Sequence, residues 1–166
     1  AKRAEHPIYG YNTFPEGYNE AFAAWEKKRH GWDVAPEWVC HTPGVLAALS
    51  NAILAFTEKG DGILIQPPVY FPFKSTIEAL DRKVINNQLI YKDGCFTMDF
   101  DGLEEKARQA KLFIFCSPHN PSGRVWTREE LKRVEEICRK NDLLVFSDEI
   151  HSDIVYAPHQ HTVFAQ

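Results

Sequence analysis

Several things are scarce in this 166-residue chain, and each scarcity narrows what it can be. No apolar run approaches the ~20 residues that cross a bilayer. The opening Ala1-Lys-Arg-Ala-Glu-His6 lacks the apolar core of a secretory leader. Cysteines are few, and Cys40, Cys95, Cys116 and Cys138 form no Cys-x-x-Cys pair. Cys40, Cys116 and Cys138 lie in apolar or helical patterns that suit buried, reduced thiols. Positive charge is not in excess: the net charge is −4 and the pI about 6.0, so neither nucleic acid nor an anionic membrane is expected as a partner. Internal repeats, low-complexity stretches and linkers are missing too. With 44% hydrophobic and 25% charged residues, the expectation is a single globular domain over residues 1–166, cytoplasmic and free of the membrane.

What is present is an alternation of helical and short apolar patterns. Tyr18 to Arg29 has helical spacing, with Ala21, Phe22 and Trp25 on one face. Trp38 to Thr42 reads as a short strand, and Val45 to Glu58 as an apolar helix stopped near Gly60. Gly62 to Gln66 is a continuously apolar strand, Pro72 to Leu80 a helix and Lys83 to Leu89 a strand. Asp93-Gly94 signals a hairpin turn. Phe100 to Ala110 is a helix with Asp99 at its cap, and Lys111 to Cys116 a buried strand. Thr127 and Glu130 match a capping box opening a helix to Asn141. Leu143 to Ser147 is a last buried strand. Such βαβ units predict an α/β fold of three layers, a mostly parallel sheet with helices on both faces. Trp25, Trp32 and Trp38 are expected to serve packing.

In such sheets, ligands sit beyond the carboxyl ends of the strands. Four expected strands end in unusual segments: His41-Thr-Pro-Gly-Val45, Gln66-Pro-Pro-Val-Tyr70, Ser117-Pro-His-Asn-Pro-Ser-Gly-Arg124 and Ser147-Asp-Glu-Ile-His151. Gly44 leads into a helix whose first amides, on Val45 and Leu46, could take a phosphate, although an ordinary Pro-Gly turn would look the same. Tyr70 could cover a planar ligand or simply pack. Asn120 sits between prolines, as a fixed amide donor or a turn former. Asp148 and Glu149 could meet a cationic ring nitrogen or a metal, or cap the next segment.

Taken in order, these segments resemble fold-type-I pyridoxal-phosphate (PLP) enzymes of the class I/II aminotransferase superfamily, and most of all their cystathionine β-lyase branch, the MalY/PatB-type C–S lyases. His6-Pro-Ile-Tyr-Gly-Tyr11, Trp25-x-x-x-Arg29-His30, Thr42-Pro-Gly-Val45, Pro68-Val-Tyr-Phe-Pro-Phe73, Ser117 to Trp126 and Ser147-Asp-Glu-Ile-His151 carry the likeness. The resemblance implies an incomplete PLP-transferase large domain. In it, Asp148 would pair with the pyridine nitrogen, Asn120 would donate to the phenolic oxygen and Tyr70 would stack on the ring. Val45 and Leu46 would offer amides to the phosphate, and Tyr11 would reach the neighbouring subunit's cofactor in a homodimer. His151, where transaminases of the superfamily place a tyrosine, favours the lyase branch. The implied activity is β-elimination from a small cystathionine-like or cysteine-derived amino acid, giving pyruvate, ammonia and a thiol.

The family's Schiff-base lysine lies in a Ser-x-Ser-Lys motif that this sequence does not contain. The reading is therefore of a middle portion of a longer enzyme, inactive alone, with no catalytic residue of its own. Rival readings are an aminotransferase with the same cofactor, and a non-catalytic binding or assembly fragment. A metal enzyme using His151, His159, His161, Asp148, Glu149 and Asp153 is the weakest rival; a solvated histidine loop is expected there, and no metal.

Overall fold

The computed structural model describes residues 2–8 and 14–166, which divide into two compact units, Ala1–Cys40 and His41–Gln166. In the first, helix α1 (Tyr18–His30) lies between Gly17 and Gly31, both with left-handed φ (78° and 74°) that a β-carbon would oppose. No α1 residue is buried, and Phe22 and Trp25 of the apolar face read from the sequence are exposed. The strand expected at 38–42 does not form. Pro36 instead opens a short 3-10 turn, Pro36–Trp38, in which Val39 N–H donates to the Pro36 carbonyl at 3.2 Å. Proline fixes φ near the helical value, so the chain curls where the apolar pattern alone suggested extension. Trp38 and Cys40 are left exposed, against expectation.

The second unit is the α/β body. Its elements are α2 (Val45–Phe56), β1 (Gly62–Ile65), α3 (Pro72–Ala79), β2 (Lys83–Asn86), β3 (Ile90–Lys92), β4 (Cys95–Thr97), α4 (Phe100–Ala107), β5 (Leu112–Cys116), α5 (Arg128–Lys140) and β6 (Leu144–Asp148). Four strands form a wholly parallel sheet in the order β2-β1-β5-β6. Among the described residues β6 is an edge strand, and its Leu144 is 44% exposed. β3 and β4 make the expected hairpin, turning through Asp93 and Gly94 at φ 51° and 79°.

Side-chain alternation in β5 builds the layers. Phe113 and Phe115 face one side with Leu64, packing on Leu103 and Ala107 of α4 and on Leu131 and Val134 of α5. Leu112, Ile114 and Cys116 face the other with Ile63 and Ile65, against Leu49 and Ile53 of α2 and Phe73 and Ile77 of α3. Helices on both faces leave neither face of the central strands β1 and β5 to water, which is why these two read as unbroken apolar runs.

Local chemistry fixes the helix ends. Thr127 Oγ1 accepts from Glu130 N–H at 3.2 Å while the Glu130 carboxylate accepts from Thr127 N–H at 2.8 Å, both halves of the capping box. Asp99 caps α4 through Gly102 N–H. The buried Arg82 guanidinium ends two helices at once, donating to Thr57 Oγ1 and carbonyl after α2 and to the Leu80 carbonyl after α3. Gly62 has no room for a side chain, because a β-carbon there would collide with the Gln109 carbonyl and the Ile85 side chain. Removing the cap with Thr127→Ala should cost about 1 kcal/mol. Gly62→Ala should cost about 2 kcal/mol or more, since the obstacle is backbone. Urea unfolding of the two variants should show that order.

Candidate functional site

Parallel register puts the carboxyl ends of β1, β5 and β6 at one edge, with Cys116 level with Asp148. Beyond that edge lies a cavity of about 460 Å³. Val45, Leu46, Tyr70, Asn120, Asp148 and His151 all line it, so six of the seven residues singled out from the sequence converge on one space. The seventh, Tyr11, lies outside the described residues. Pro43, Gly44 and Ile150 complete the lining; Ile150 was missed because nothing separates it from a packing residue in the sequence.

The segment 41–45 comes to the cavity from irregular chain and not, as expected, from a strand end. Gly44 N–H donates to the Thr42 carbonyl at 2.8 Å, and Thr42 Oγ1 donates to the Gly44 carbonyl. The turn gives Gly44 φ 104° and ψ 164°, a conformation suited to glycine alone. No side chain caps α2 at this residue. The first amides of a helix have no partner within it, so those of Val45 and Leu46 present a positive dipole end beside the cavity.

Asn120 is carried on a tight turn after β5. His119 N–H donates to the Arg124 carbonyl and Gly123 N–H to the His119 carbonyl, each at 2.8 Å. Asn120 N–H is held by Cys116 Sγ at 3.4 Å. Arg124 makes a two-pronged ion pair with Glu130 (2.6 and 2.7 Å) and lies over the Trp126 ring, anchoring the turn to α5. Tyr70, also in the lining, is half-buried and braced edge-on by Phe73, with ring centres 5.5 Å apart.

Asp148, only 6% exposed, supplies the buried charge. Burial pushes its carboxyl above the usual range, while Ile150 N–H (3.2 Å) and the nearby His151 pull it down and Glu149 adds to the rise. Its neighbour Glu149 is turned to structural work, accepting from Ser147 Oγ, His161 Nε2 and Phe164 N–H. The His161 side chain is therefore a buried hydrogen-bond partner of Glu149 and not the solvated residue expected, while His159 is exposed. Among the described residues no group of three or more His, Cys, Asp or Glu is arranged to hold a metal. A second cavity of about 360 Å³ shares Asn120 and His151 with the first.

His119 is buried, and desolvation lowers its pKa from 6.5 to about 4, with the nearby Arg124 adding to the fall. The unfolded chain thus takes up a proton that the fold refuses between those values. Stability from this group is complete above pH 6.5 and lost as pH falls towards 4, a change of about 3 kcal/mol. Asp148 acts oppositely, favouring the fold as pH falls through its raised value. Urea titrations of the parent and His119→Gln from pH 7.5 to 4.5 should converge at the acid end, because the variant lacks the histidine's acid-side loss.

The chain matches the family described as aminotransferase class I and II over residues 3–165. It is 46% identical to cystathionine beta-lyase PatB of Bacillus subtilis (strain 168), over 99% of this chain and 43% of that protein. The structure of cystalysin from Treponema denticola, which contains pyridoxal 5'-phosphate, superposes with a TM-score of 0.92 at 42% identity, covering 98% of this chain and 42% of that one. A PLP-bound C-S lyase from Staphylococcus hominis gives 0.91 at 38% identity, covering 99% and 42–43% respectively. The chain thus spans less than half the length of the relatives it matches. With the parallel sheet, the edge cavity and the ordered motifs in agreement, this chain belongs to the class I and II aminotransferase family.

Proposed function

We propose that residues 1–166 form the cofactor-holding part of the large domain of a PLP-dependent carbon–sulfur β-lyase. One observation carries this reading: a desolvated carboxylate, Asp148, shares a cavity with the uncapped amino end of α2. A ligand with a protonated ring nitrogen at one end and a phosphate at the other would satisfy both, and PLP is such a molecule. Asp148 would accept from the ring nitrogen and keep it protonated through a charge-assisted bond. The Val45 and Leu46 amides would bind the phosphate. Asn120 would donate its side-chain amide to the phenolic oxygen, with His151 beside it, and Tyr70 would cover the ring face. When bound, the cofactor supplies an electron sink for β-elimination of a thiolate from a small amino acid.

Among the described residues no lysine lines the cavity, so the lysine that moves the substrate's α-proton would come from elsewhere in the longer protein, and residues 1–166 would bind cofactor without turning substrate over. The lyase reading over transamination is favoured by the 46% identity to PatB and by His151 three residues after Asp148. A homodimer in which Tyr11 reaches the partner's phosphate, and a cytoplasmic location, belong to the same proposal. Among the described residues no helix is long and apolar enough to cross a membrane.

Titrating the chain with PLP and following cofactor fluorescence and protein melting should show saturable binding, weaker for pyridoxal, which lacks the phosphate. Asp148→Asn should weaken PLP binding by roughly 10- to 100-fold, yet raise the melting temperature of the cofactor-free chain by relieving a buried charge. Equal PLP affinity in parent and variant would refute the assignment.

A further inference from the structure

The turn that carries Asn120 hangs on a residue to which the sequence reading gave no role. His119 is 2% exposed, with Nε2 3.3 Å from the Gln66 carbonyl and Nδ1 2.9 Å from Ser122 Oγ. Its ring stands edge-on to Trp126 at 5.6 Å. A carbonyl only accepts, so Nε2 carries the ring proton; in a neutral ring the bare Nδ1 must then accept the Ser122 hydroxyl. Ser122 Oγ in turn accepts from Arg124 N–H at 3.4 Å. Every polar atom of the ring is used, and each bond has one consistent direction.

The anchor point is telling. Gln66 directly follows β1 and begins the Gln66-Pro-Pro-Val-Tyr70 segment, so one imidazole ties the Asn120 turn to the loop that carries Tyr70. Resting on the cofactor reading above, we propose that His119 is a positioning residue: it clips the 117–124 turn to the end of β1 and so fixes the Asn120 side chain in the cavity that Tyr70 and Asp148 also line. His119 does not itself line that cavity; it opens onto the neighbouring one. Its depressed basicity keeps the ring neutral, and a proton on Nδ1 would abolish the acceptor that Ser122 needs.

The test uses the full 166-residue chain with PLP as probe and four variants. His119→Phe keeps the ring contact with Trp126 and loses both hydrogen bonds. His119→Asn is a smaller replacement too short to reach Gln66, and serves if the phenylalanine variant fails to fold. His119→Gln keeps an N–H near the Nε2 position. Asn120→Ala removes the positioned group. Without PLP, nitrogen NMR should report a neutral Nε2–H ring at pH 7. His119→Phe or His119→Asn should shift the Asn120 side-chain amide signals and speed exchange of the Gly123 amide by about tenfold or more, with His119→Gln restoring both. With PLP, His119→Phe should raise the dissociation constant by about tenfold, His119→Gln should restore it to within about threefold, and Asn120→Ala should add its loss non-additively with His119→Phe. Unmoved Asn120 signals, an Nδ1–H ring, or fully additive losses would each overturn the proposal. A parent chain that binds no PLP would defeat the cofactor reading, while the tautomer and Asn120 signals would still decide whether His119 holds the turn.

Discussion

The structure depends on the placing of one acidic group where water cannot stabilise it. Asp148 ends β6, and its position is set by parallel pairing with β5, level with Cys116. That pairing is itself fixed by the two-sided core, because a one-residue slip would exchange Phe113 and Phe115 with Leu112, Ile114 and Cys116 between the two helical layers. The apolar packing of the whole sheet thus holds a carboxylate in a site that raises its proton affinity. The Ile150 N–H and His151 offset part of that cost, and under the proposed function the protonated ring nitrogen of the cofactor would offset more.

The other cavity walls follow the same logic of rigid support under a polar tip. Tyr70 leans on Phe73, the Asn120 turn is pinned through Cys116, His119 and the Arg124–Glu130 pair, and Gly44 bends the chain so that α2 begins at the cavity. Tyr70, Asn120 and Gly44 stand on loops, yet each loop is tied to the end of a strand or helix, so the cavity inherits the precision of the sheet.

Much of this was legible in the sequence because the signals were local and strong. The apolar runs of β1 and β5, the Thr127–Glu130 capping box and the Asp93-Gly94 turn each name their own geometry. Tyr70, Asn120, Asp148 and His151 could be grouped because parallel strands share an edge, a rule of topology that needs no coordinates, whereas Val45 and Leu46 were placed with them through a strand at 38–42 that does not form. The failures were also physical. Pro36 converted an apolar stretch into a 3-10 turn, so Trp38 and Cys40 came out exposed. Phe22 and Trp25 of α1, set on one apolar face by their spacing, stay exposed. His161 read as a loop histidine, and His119 was given no role, because their partners, Glu149 and Gln66, are respectively 12 and 53 residues away in sequence.

The exposed margin of β6 has a thermodynamic corollary. An outer strand offers a row of unmatched peptide groups on which another strand can be laid. The same strand delivers Asp148 to the cavity, so among the described residues the acid's mounting is paired along one side only, through β5. Any coupling between strand pairing at that margin and ligand capture beside Asp148 is reciprocal, of one size in both directions.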